Sequence, residues 1–328
     1  MARPEVSIVI PVYNESAVLG QLFKRLYPVL DQLGRSCEVV FVNDGSQDNS
    51  AALLKEQYLS RSDITRVVLF NANYGQHMAI MAGFEQAKGE IIITLDADLQ
   101  NPPEELPKLL AKMDEGHDYV GTIRESRQDT WWRHWASRSM NWLRERITGI
   151  HMTDQGCMLR AYRREIIQAI VACHEVTTFI PALAYTFSHR PAEVVVRHEI
   201  RAAGESKYSL YKLMRLNFDL ITGFSLVPLQ LMSMAGIFLA LGSALFFAFL
   251  VGRRLLLGPE AEGMFTLFAL NFFLMGILLF GVGVLGEYIG RIHLQVRGRP
   301  RFIIQAMLEP NYDSVTKLST SDRQEFTL

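Results

Sequence analysis

Glu-Ile-Ile-Ile-Thr-Leu-Asp-Ala-Asp-Leu-Gln-Asn-Pro-Pro, residues 90–103, is the stretch that decides the fold class of this chain. Its first half is apolar and rich in β-branched side chains, which predicts a buried strand over residues 91–95. Asp96 and Asp98 follow at the carboxyl end of that strand. In an open α/β sheet this end borders the ligand crevice, so both acids are expected to face a ligand.

The two carboxylates predict a divalent-cation site. A buried charge must be paired or bound to a metal, so two acids one residue apart do not both fit a dry core. Oxygen ligands suit Mg²⁺ or Mn²⁺, which commonly bridge protein carboxylates to a substrate diphosphate. A solvated loop or a helix cap is the alternative for an isolated Asp-x-Asp. The prolines and acids after it predict a helix start, which favours a site for a nucleotide-activated substrate.

The composition excludes several classes of function. The chain has 328 residues, is 49% hydrophobic and carries a formal net charge of −1, so no nucleic-acid partner is expected. Its three cysteines form no Cys-x-x-Cys pair, which indicates ordinary thiols in a reducing compartment. The amino terminus lacks the pattern of a signal peptide, and we expect it to stay in the cytoplasm.

Two long apolar stretches predict membrane-spanning helices. No charged residue occurs between Asp219 and Arg253 or between Glu262 and Glu287. Each gap exceeds the roughly 20 residues that a spanning helix needs. The short connection predicts a hairpin, and the Lys and Arg residues outside it outnumber those within it, which places both termini in the cytoplasm.

The predicted organisation follows from these stretches. A motif Gly-x-Gly-x-x-Gly at residues 281–286 lies inside the second apolar stretch with no strand before it, which favours close helix packing over dinucleotide binding. Residues 207–225 have apolar side chains at helical spacing, which fits either an interfacial helix or a helix packed on the soluble domain. The predicted parts are a cytosolic α/β domain (1–206), an interfacial helix (207–225), two transmembrane helices (226–251 and 264–286) and a cytosolic C-terminal helix and tail (287–328).

The first half of the chain alternates strand-like and helical patterns. This alternation predicts a mainly parallel sheet covered by helices on both faces. Several predicted strands end in polar residues, and the carboxyl ends of parallel strands meet at one edge. Tyr13 could pack on a nucleotide base, Glu15 could bond the ribose, and Asp44 could accept hydrogen bonds from either. A helix cap or a tight turn explains each of these segments taken singly, but the segments taken together favour a nucleotide site. The predicted strands cover residues 6–11, 38–42, 67–71, 91–95 and 118–121.

A basic and aromatic stretch follows the sheet-forming region. Arg124, Arg127, Arg133 and Arg138 lie among four tryptophans, a composition that suits a surface meeting both a membrane interface and anionic groups. Further on, residues 201–208 place cationic side chains on a glycine-containing loop directly before the apolar stretches. A solvated loop is the alternative, but this position is where a lipid phosphate would sit.

Five segments together resemble the polyprenyl-phosphate glycosyltransferases, family-two enzymes with a GT-A (Rossmann-like) domain and a small membrane anchor. They are residues 9–15, 43–46, 96–103, 204–209 and 286–291. Residues 73–77, 121–124 and 156–164 are similar to the subfamily that transfers 4-deoxy-4-formamido-L-arabinose. The resemblance implies a multi-pass protein of the bacterial inner membrane, in contact with membrane lipids and assembled as a homo-oligomer, a tetramer in the family.

The resemblance also implies the reaction. A sugar passes from a UDP donor to undecaprenyl phosphate with inversion, in lipid A modification and resistance to polymyxin and cationic peptides. A polyprenyl-phosphate glucosyl- or mannosyltransferase is the nearest alternative. A non-catalytic membrane scaffold that binds nucleotide sugar is another. A processive polysaccharide synthase is disfavoured, because the chain has no Arg-Trp pair and only two predicted spans.

The roles implied for individual residues divide between donor, metal and acceptor. Asp98, Asp154 and Arg201 are the candidate catalytic residues, although a structural cap or salt bridge explains Asp154 equally well. The candidate Mg²⁺ or Mn²⁺ ligands are Asp96, Asp98 and Gln100. The candidate donor-binding residues are Pro11, Tyr13, Glu15, Asp44, Asn73, Gly75, Asp96, Ala97 and Arg124. The candidate acceptor-phosphate residues are Arg133, Ser137, Arg201 and Lys207.

Overall fold

The computed structural model describes residues 3–125, 157–173, 179–199, 227–257, 264–309 and 316–317. A short 3-10 helix, Pro103–Glu105, precedes the fourth α-helix. The strands and helices are β1 (Val6–Val12), α1 (Ser16–Gln32), β2 (Cys37–Asn43), α2 (Ser50–Ser60), β3 (Thr65–Phe70), α3 (Gln76–Gln86), β4 (Ile91–Thr94), α4 (Leu106–Asp114), β5 (Tyr119–Arg124), β6 (Arg160–Arg163), α5 (Arg164–Ala172), α6 (Ile180–Phe187), β7 (Pro191–Val196), α7 (Val227–Leu257), α8 (Met264–Val296), β8 (Ile304–Leu308) and β9 (Thr316–Lys317).

Within the described residues, nine strands form one sheet in the order β7-β5-β6-β4-β1-β2-β3-β8-β9. The centre of the sheet is parallel, because β1 pairs in parallel with both β2 and β4, and β2 with β3. β6 is antiparallel to β4 and β5, and β8 is antiparallel to β3. The carboxyl ends of β1, β2, β3 and β4 therefore lie at the same edge.

Both faces of the central strands are covered, which is why these strands are continuous apolar runs rather than alternating ones. Ile8 and Ile10 belong to the core that includes Leu19, Leu22 and Leu26 of α1. On the opposite face α3 approaches β1 so closely that a Cβ at Gly83 would lie 2.2 Å from Val9 Cγ1. Helices therefore pack on both faces of the strands and hold the strand ends in fixed positions.

The chain forms two compact units, and the second contains α7 and α8. Many of its apolar side chains are exposed; Phe238 is 69% exposed and Leu278 67%. In the described part of the chain, Leu274–Val296 is the one helical stretch long and apolar enough to cross a membrane, and 12% of its most apolar window is buried. Leu229–Leu239 is a shorter apolar helical stretch. The two-span hairpin stays a prediction.

The predicted strands in the first half of the chain are all present, within two or three residues of their expected bounds. The helix expected after Pro103 is also present, as the 3-10 helix followed by α4. The Gly-x-Gly-x-x-Gly motif lies inside α8, as expected for helix packing. Gly281 is the glycine of this motif that packs against α7, since a Cβ at this position would lie 2.9 Å from Met232 Cε of that helix.

Two features of the fold depart from the sequence pattern. α8 continues without a break to Val296, past the expected end of the second span at residue 286. The chain then returns to the sheet as β8, which lies beside β3 where a helix and tail were expected. This strand shows no periodic signal in the sequence, since it has five residues and follows a basic segment.

Candidate active site

The loops after β1 and β2 are joined by hydrogen bonds at the carboxyl-end rim, which we define as the edge formed by the ends of β1, β2, β3 and β4. The backbone N–H of Asn14 donates to Ser46 Oγ at 3.0 Å, and the N–H of Gln47 donates to Asn14 Oδ1 at 2.8 Å. Asn14 has a φ of 56°, a left-handed conformation that asparagine tolerates better than most residues. The loop that carries Tyr13 and Glu15 is therefore ordered before any ligand binds.

Asp48 strengthens the same connection between the loops after β1 and β2. Its carboxylate accepts hydrogen bonds from the backbone N–H groups of Ser16 and Ser50, both at 3.0 Å. Burial acts to raise the pKa of Asp48, but the hydrogen bonds from Ser50 and Ser16 outweigh it and lower the pKa to about 2. Asp48 is thus an anion at neutral pH that connects the starts of α1 and α2.

Asp44 organises the loop after β3, residues 71–75, which we call the donor loop. Its carboxylate accepts hydrogen bonds from the N–H groups of Tyr74 at 2.7 Å and Gly75 at 2.9 Å, and from Asn73 Nδ2 at 3.0 Å. Asp44 is 2% exposed. Burial raises its pKa, and the backbone hydrogen bonds counteract part of that rise. Three of the predicted donor-binding residues, Asp44, Asn73 and Gly75, are therefore one hydrogen-bonded unit.

Gly45 allows the loop after β2 to approach the donor loop. Its φ is +64°, and a Cβ at this position would lie 2.4 Å from the backbone carbon of Ala72. Contact at that distance with backbone atoms cannot be relieved by moving a flexible side chain. The turn after β2 thus requires glycine both for its conformation and for its packing.

The end of β4 carries the acidic turn, residues 96–101. Asp96 Oδ1 accepts a hydrogen bond from Gln76 Nε2 at 2.7 Å, and Asp96 Oδ2 accepts one from Asn101 Nδ2 at 3.4 Å. Asp98 is 9% exposed and accepts a hydrogen bond from the N–H of Gln100 at 3.1 Å. Between Asp98 and Gln100, the turn holds Leu99 at a φ of 61°, which is unusual for leucine.

The conformation of Leu99 has a physical consequence for the two acids. Its side chain is 4% exposed and packs in the core below the sheet edge. Strained backbone of this kind costs roughly 1–3 kcal/mol and persists only where the surrounding structure enforces it. Burial of Leu99 offsets that cost, and the reversal of the chain keeps Asp98 at the rim.

A series of buried hydrogen bonds supports the acidic turn from inside the domain. The Cys157 thiol donates to Asn101 Oδ1 at 3.4 Å, and Thr122 Oγ1 lies 2.8 Å from Cys157 Sγ and 2.7 Å from the carbonyl oxygen of Leu159. Asn101 in turn donates to Asp96. These contacts connect β5 and the start of β6 to the predicted metal ligand, so Asp96 is held from two sides.

The acidic turn fits a hard divalent cation through its chemistry. Its candidate ligands are carboxylate and amide oxygens, which are the ligands that Mg²⁺ and Mn²⁺ prefer, and hydrogen bonds hold both carboxylates in position. Among the residues that the structure describes, no group of three or more His, Cys, Asp or Glu is placed to hold a metal. An ion here would therefore complete its coordination with substrate or water oxygens.

The remaining predicted donor residues lie at the same rim. Pro11 is in the last part of β1 and Tyr13 directly follows it, with its side chain 43% exposed. Ala97 is in the acidic turn and 4% exposed. Arg124 is the last residue of β5. β5 runs parallel to β4, because both are antiparallel to β6, so Arg124 lies at the rim as well.

The predicted acceptor residues lie outside the described residues. They are Arg133, Ser137, Arg201 and Lys207, together with the candidate catalytic residue Asp154. Their roles stay predictions. The structure describes the approach to Arg201 as far as Glu199, whose N–H donates to the carbonyl oxygen of Gln100 at 2.9 Å.

Three residues that support the site were not identified from the sequence. Gln76 and Asn101 hold Asp96, and Cys157 holds Asn101. Gln76 and Asn101 each lie inside a polar segment that follows a predicted strand, so their position was the available signal. Cys157 carried no such signal, because its contact with Asn101 joins residues 56 positions apart.

The sequence of the chain matches the family model described as Glycosyl transferase family 2 over residues 7–171. The chain belongs to glycosyltransferase family 2. The match extends from β1 to α5 and so includes the strand ends that form the rim. The sheet of this family-two chain, with its parallel centre and helices on both faces, is GT-A-like.

Relatives of this family-two chain are similar over most of its length. Undecaprenyl-phosphate 4-deoxy-4-formamido-L-arabinose transferase from Edwardsiella ictaluri is 51% identical over 308 residues, which cover 93% of this chain and 95% of that protein. Among solved structures, glucosyl-3-phosphoglycerate synthase from Mycobacterium tuberculosis in complex with phosphoglyceric acid has a TM-score of 0.47 at 17% identity, over 67% of this chain and 78% of that one. The same synthase with Mn²⁺, UDP and glucosyl-3-phosphoglycerate has a TM-score of 0.47 at 15% identity, with the same coverage of both chains.

Proposed function

We propose that this family-two chain transfers 4-deoxy-4-formamido-L-arabinose from UDP to undecaprenyl phosphate, in the modification of lipid A. The observation that carries the proposal is the 51% identity to a transferase of that name over 93% of the chain. Identity at that level covers the rim and also the helices of the second unit. The likeness therefore extends to the whole architecture and not to a nucleotide fold alone.

The rim supplies a site for the UDP part of the donor. The donor loop is held by Asp44, and the loop carrying Tyr13 and Glu15 is joined to the loop after β2. A base can pack on the exposed ring of Tyr13 while Glu15 bonds the ribose. Because these loops are ordered by internal hydrogen bonds, little conformational freedom is lost when the nucleotide binds.

The acidic turn supplies the candidate metal site. Asp96, Asp98 and Gln100 would hold Mg²⁺ or Mn²⁺, which when bound neutralises the negative charge of the departing diphosphate. Gln76 and Asn101 orient Asp96 by hydrogen bonds. We propose that transfer depends on this ion.

The acceptor is itself the nucleophile in the proposed reaction. An oxygen of undecaprenyl phosphate forms a bond to the anomeric carbon while the bond from that carbon to the UDP oxygen breaks, and the configuration inverts. The phosphate is already anionic at neutral pH, so no strong general base is required. We propose that Arg133, Ser137, Arg201 and Lys207 bind the acceptor phosphate, Arg124 serves the donor, and Asp154 orients the acceptor or sugar.

We further propose that α7 and α8 form a transmembrane hairpin with both termini in the cytoplasm of a bacterium. The charge-free stretches and the exposed apolar side chains of both helices support this topology. The core helix of a soluble protein would be mostly buried, whereas 12% of the most apolar window in Leu274–Val296 is buried. Gly286 and Gly290 leave open space beside α8, which suits helix packing between subunits of a homo-oligomer.

The test is the mass of the lipid product. Purified full-length protein in detergent is incubated with undecaprenyl phosphate, MgCl₂ and UDP-4-deoxy-4-formamido-L-arabinose, with UDP-glucose and GDP-mannose in parallel reactions. We expect the mass of the lipid to rise by one formamido-pentose with the first donor, and EDTA to stop the reaction. A hexose product in the absence of the pentose product would refute the donor assignment, and binding of UDP with no product from any donor would favour a scaffold.

A further inference from the structure

The chain that follows α8 contacts the donor loop. β8 pairs antiparallel with β3, with Leu69 opposite Ala306 and Phe70 opposite Ile304. Because β8 runs against β3, its first residues lie at the carboxyl-end rim. The N–H of Asn71, the first residue of the donor loop, donates to the carbonyl oxygen of Ile303 at 3.3 Å.

An aromatic chain continues this contact into the loop. The ring of Phe302 stacks on Phe70 with centroids 5.1 Å apart and an interplanar angle of 14°. Phe70 in turn meets Tyr74 edge to face at 5.6 Å and 89°. The Tyr74 hydroxyl donates to Asn71 Oδ1 at 2.9 Å, so both ends of the loop touch this cluster.

The donor loop is consequently held from two directions. Asp44 holds it from the β2 side through the N–H groups of Tyr74 and Gly75. Phe302 and Ile303 hold it from the outer edge, where β3 would otherwise have no neighbouring strand. A loop that is held on just one side populates more conformations. The apparent affinity for a ligand then falls in proportion to the fraction of the protein whose loop is in the binding-competent conformation.

We propose that Phe302 is a positioning residue for the nucleotide donor, so that the segment after the second long helix completes a site built mainly by the first 100 residues. The inference rests on the proposed function for its ligand, UDP. An aromatic pair contributes about 0.5–1.5 kcal/mol beyond burial. Loss of that interaction from the binding-competent loop corresponds to about a 2- to 13-fold weaker affinity for UDP.

The opposite end of β8 offers a matched control. The Tyr58 hydroxyl donates to the carbonyl oxygen of Glu309 at 2.6 Å, at the end of β8 away from the rim. Tyr58→Phe removes that bond and leaves the aromatic cluster intact. If β8 serves only the stability of the sheet, Tyr58→Phe and Phe302→Leu are equivalent; if Phe302 positions the loop, they differ.

The first measurement is hydrogen exchange of peptides covering residues 71–77 in the full-length, ligand-free protein. We expect Phe302→Leu to accelerate exchange there at least severalfold, Phe302→Tyr to restore protection, and Tyr58→Phe to leave it unchanged. This readout needs no nucleotide, so it separates failure of the inference from failure of the proposed function. Equal exchange in Phe302→Leu and the wild type would overturn the inference.

The second measurement is UDP binding by calorimetry, with Mg²⁺ present, together with the KM values for donor and acceptor. We expect Phe302→Leu to raise the Kd for UDP and the KM for the donor by about 2- to 13-fold, with the KM for undecaprenyl phosphate unchanged. A rise in both KM values by the same factor, or an equal loss of UDP affinity in Tyr58→Phe, would contradict a role in positioning the donor.

Discussion

The two ends of the central strands both carry charged side chains, but they use them differently. At the amino ends of β1, β2 and β3, arginines pair with acids: Arg61 with Asp31 at 2.9 Å and Arg35 with Glu5 at 2.8 Å. A cleft of about 840 Å³ opens there. At the carboxyl-end rim, the carboxylates instead accept hydrogen bonds from backbone N–H groups and amides.

This difference concerns how the charged side chains at the two ends are held. An ion pair cancels its own field, whereas a carboxylate held by neutral donors keeps its full charge and its position. The cleft at the amino ends is large, yet its arginines are engaged with its own acids. The rim carries carboxylate and amide oxygens, which a divalent cation prefers as ligands, and such a cation can in turn bind a diphosphate, so chemistry is expected at the rim.

The largest expected effect tests the rim directly. Asp98→Asn removes one negative charge from the acidic turn with little change in shape, and we expect a loss of transfer of about 1000-fold, or about 4 kcal/mol. Lipid product formed per minute measures it, with circular dichroism as the check on folding. Asp63→Asn at the amino ends is the control and should retain full activity. Full activity in Asp98→Asn would eliminate the proposed metal site.

The next effect compares two glycines with the same backbone conformation. Gly45 and Gly34 have φ values of +64° and +65°, but a Cβ at Gly34 meets nothing within 4 Å, whereas one at Gly45 meets the backbone of Ala72. We expect Gly34→Ala to cost about 1 kcal/mol and Gly45→Ala about 3 kcal/mol of unfolding free energy. Denaturant titration measures both. Equal costs would show that the close approach of the loops can relax.

Asp44→Asn tests the hydrogen bonds of the donor loop. An amide has one acceptor oxygen, so it cannot accept from Tyr74, Gly75 and Asn73 together in the way that the carboxylate does. We expect a loss of about 1.5–3 kcal/mol of stability and weaker UDP binding. Calorimetry and thermal unfolding measure the two effects. Unchanged UDP affinity together with the stability loss would limit Asp44 to a structural role.

A smaller effect concerns pH. The pKa of Asp48 in the folded protein is about 2, below its ordinary value of 3.8, so its contribution to stability is complete above that ordinary value and is lost as the pH falls through about 2. We expect Asp48→Ala to be less stable than the wild type by at most about 1 kcal/mol at neutral pH, because the side chain is largely exposed to solvent. The difference should shrink steadily as the pH falls through about 2 in unfolding titrations. A difference that does not change with pH would refute this assignment.

The smallest effect is expected at the amino ends. Arg61→Gln breaks the pairs with Asp31 and Asp63, whose carboxylates are largely exposed, and removes the guanidinium from the Tyr27 ring. Exposed pairs contribute about 0–1 kcal/mol, so stability should change little and transfer should not change at all. Thermal unfolding and the lipid product assay check this together. Loss of activity in Arg61→Gln would show that the cleft, and not only the rim, serves the reaction.

The pattern of apolar runs and polar ends predicted most of the first unit. Continuous β-branched runs are buried strands because both faces of a parallel sheet are covered, and that burial is visible in the consecutive residues Ile8, Val9 and Ile10. Asp96 and Asp98 could be placed at the rim because they directly follow such a run. These features depend on neighbours in sequence, which is why they could be predicted.

The missed features depend on contacts between distant parts of the chain. β6, four residues long, lies between β4 and β5, and β8, five residues long, lies beside β3; both are antiparallel to these partners, which come from distant parts of the chain. Cys157 supports Asn101 across 56 residues, and Phe302 stacks on Phe70. No local pattern encodes such pairs.

The sequence by itself determined the parallel centre of the sheet, the acids at its edge and the long apolar helices, because burial and charge are properties of local composition. Only the tertiary structure decided that Asp44 holds the donor loop and that the segment after α8 returns to β3. Hydrogen bonds and ring contacts require the two partners to be brought together in space, and the packing of the whole sheet does that.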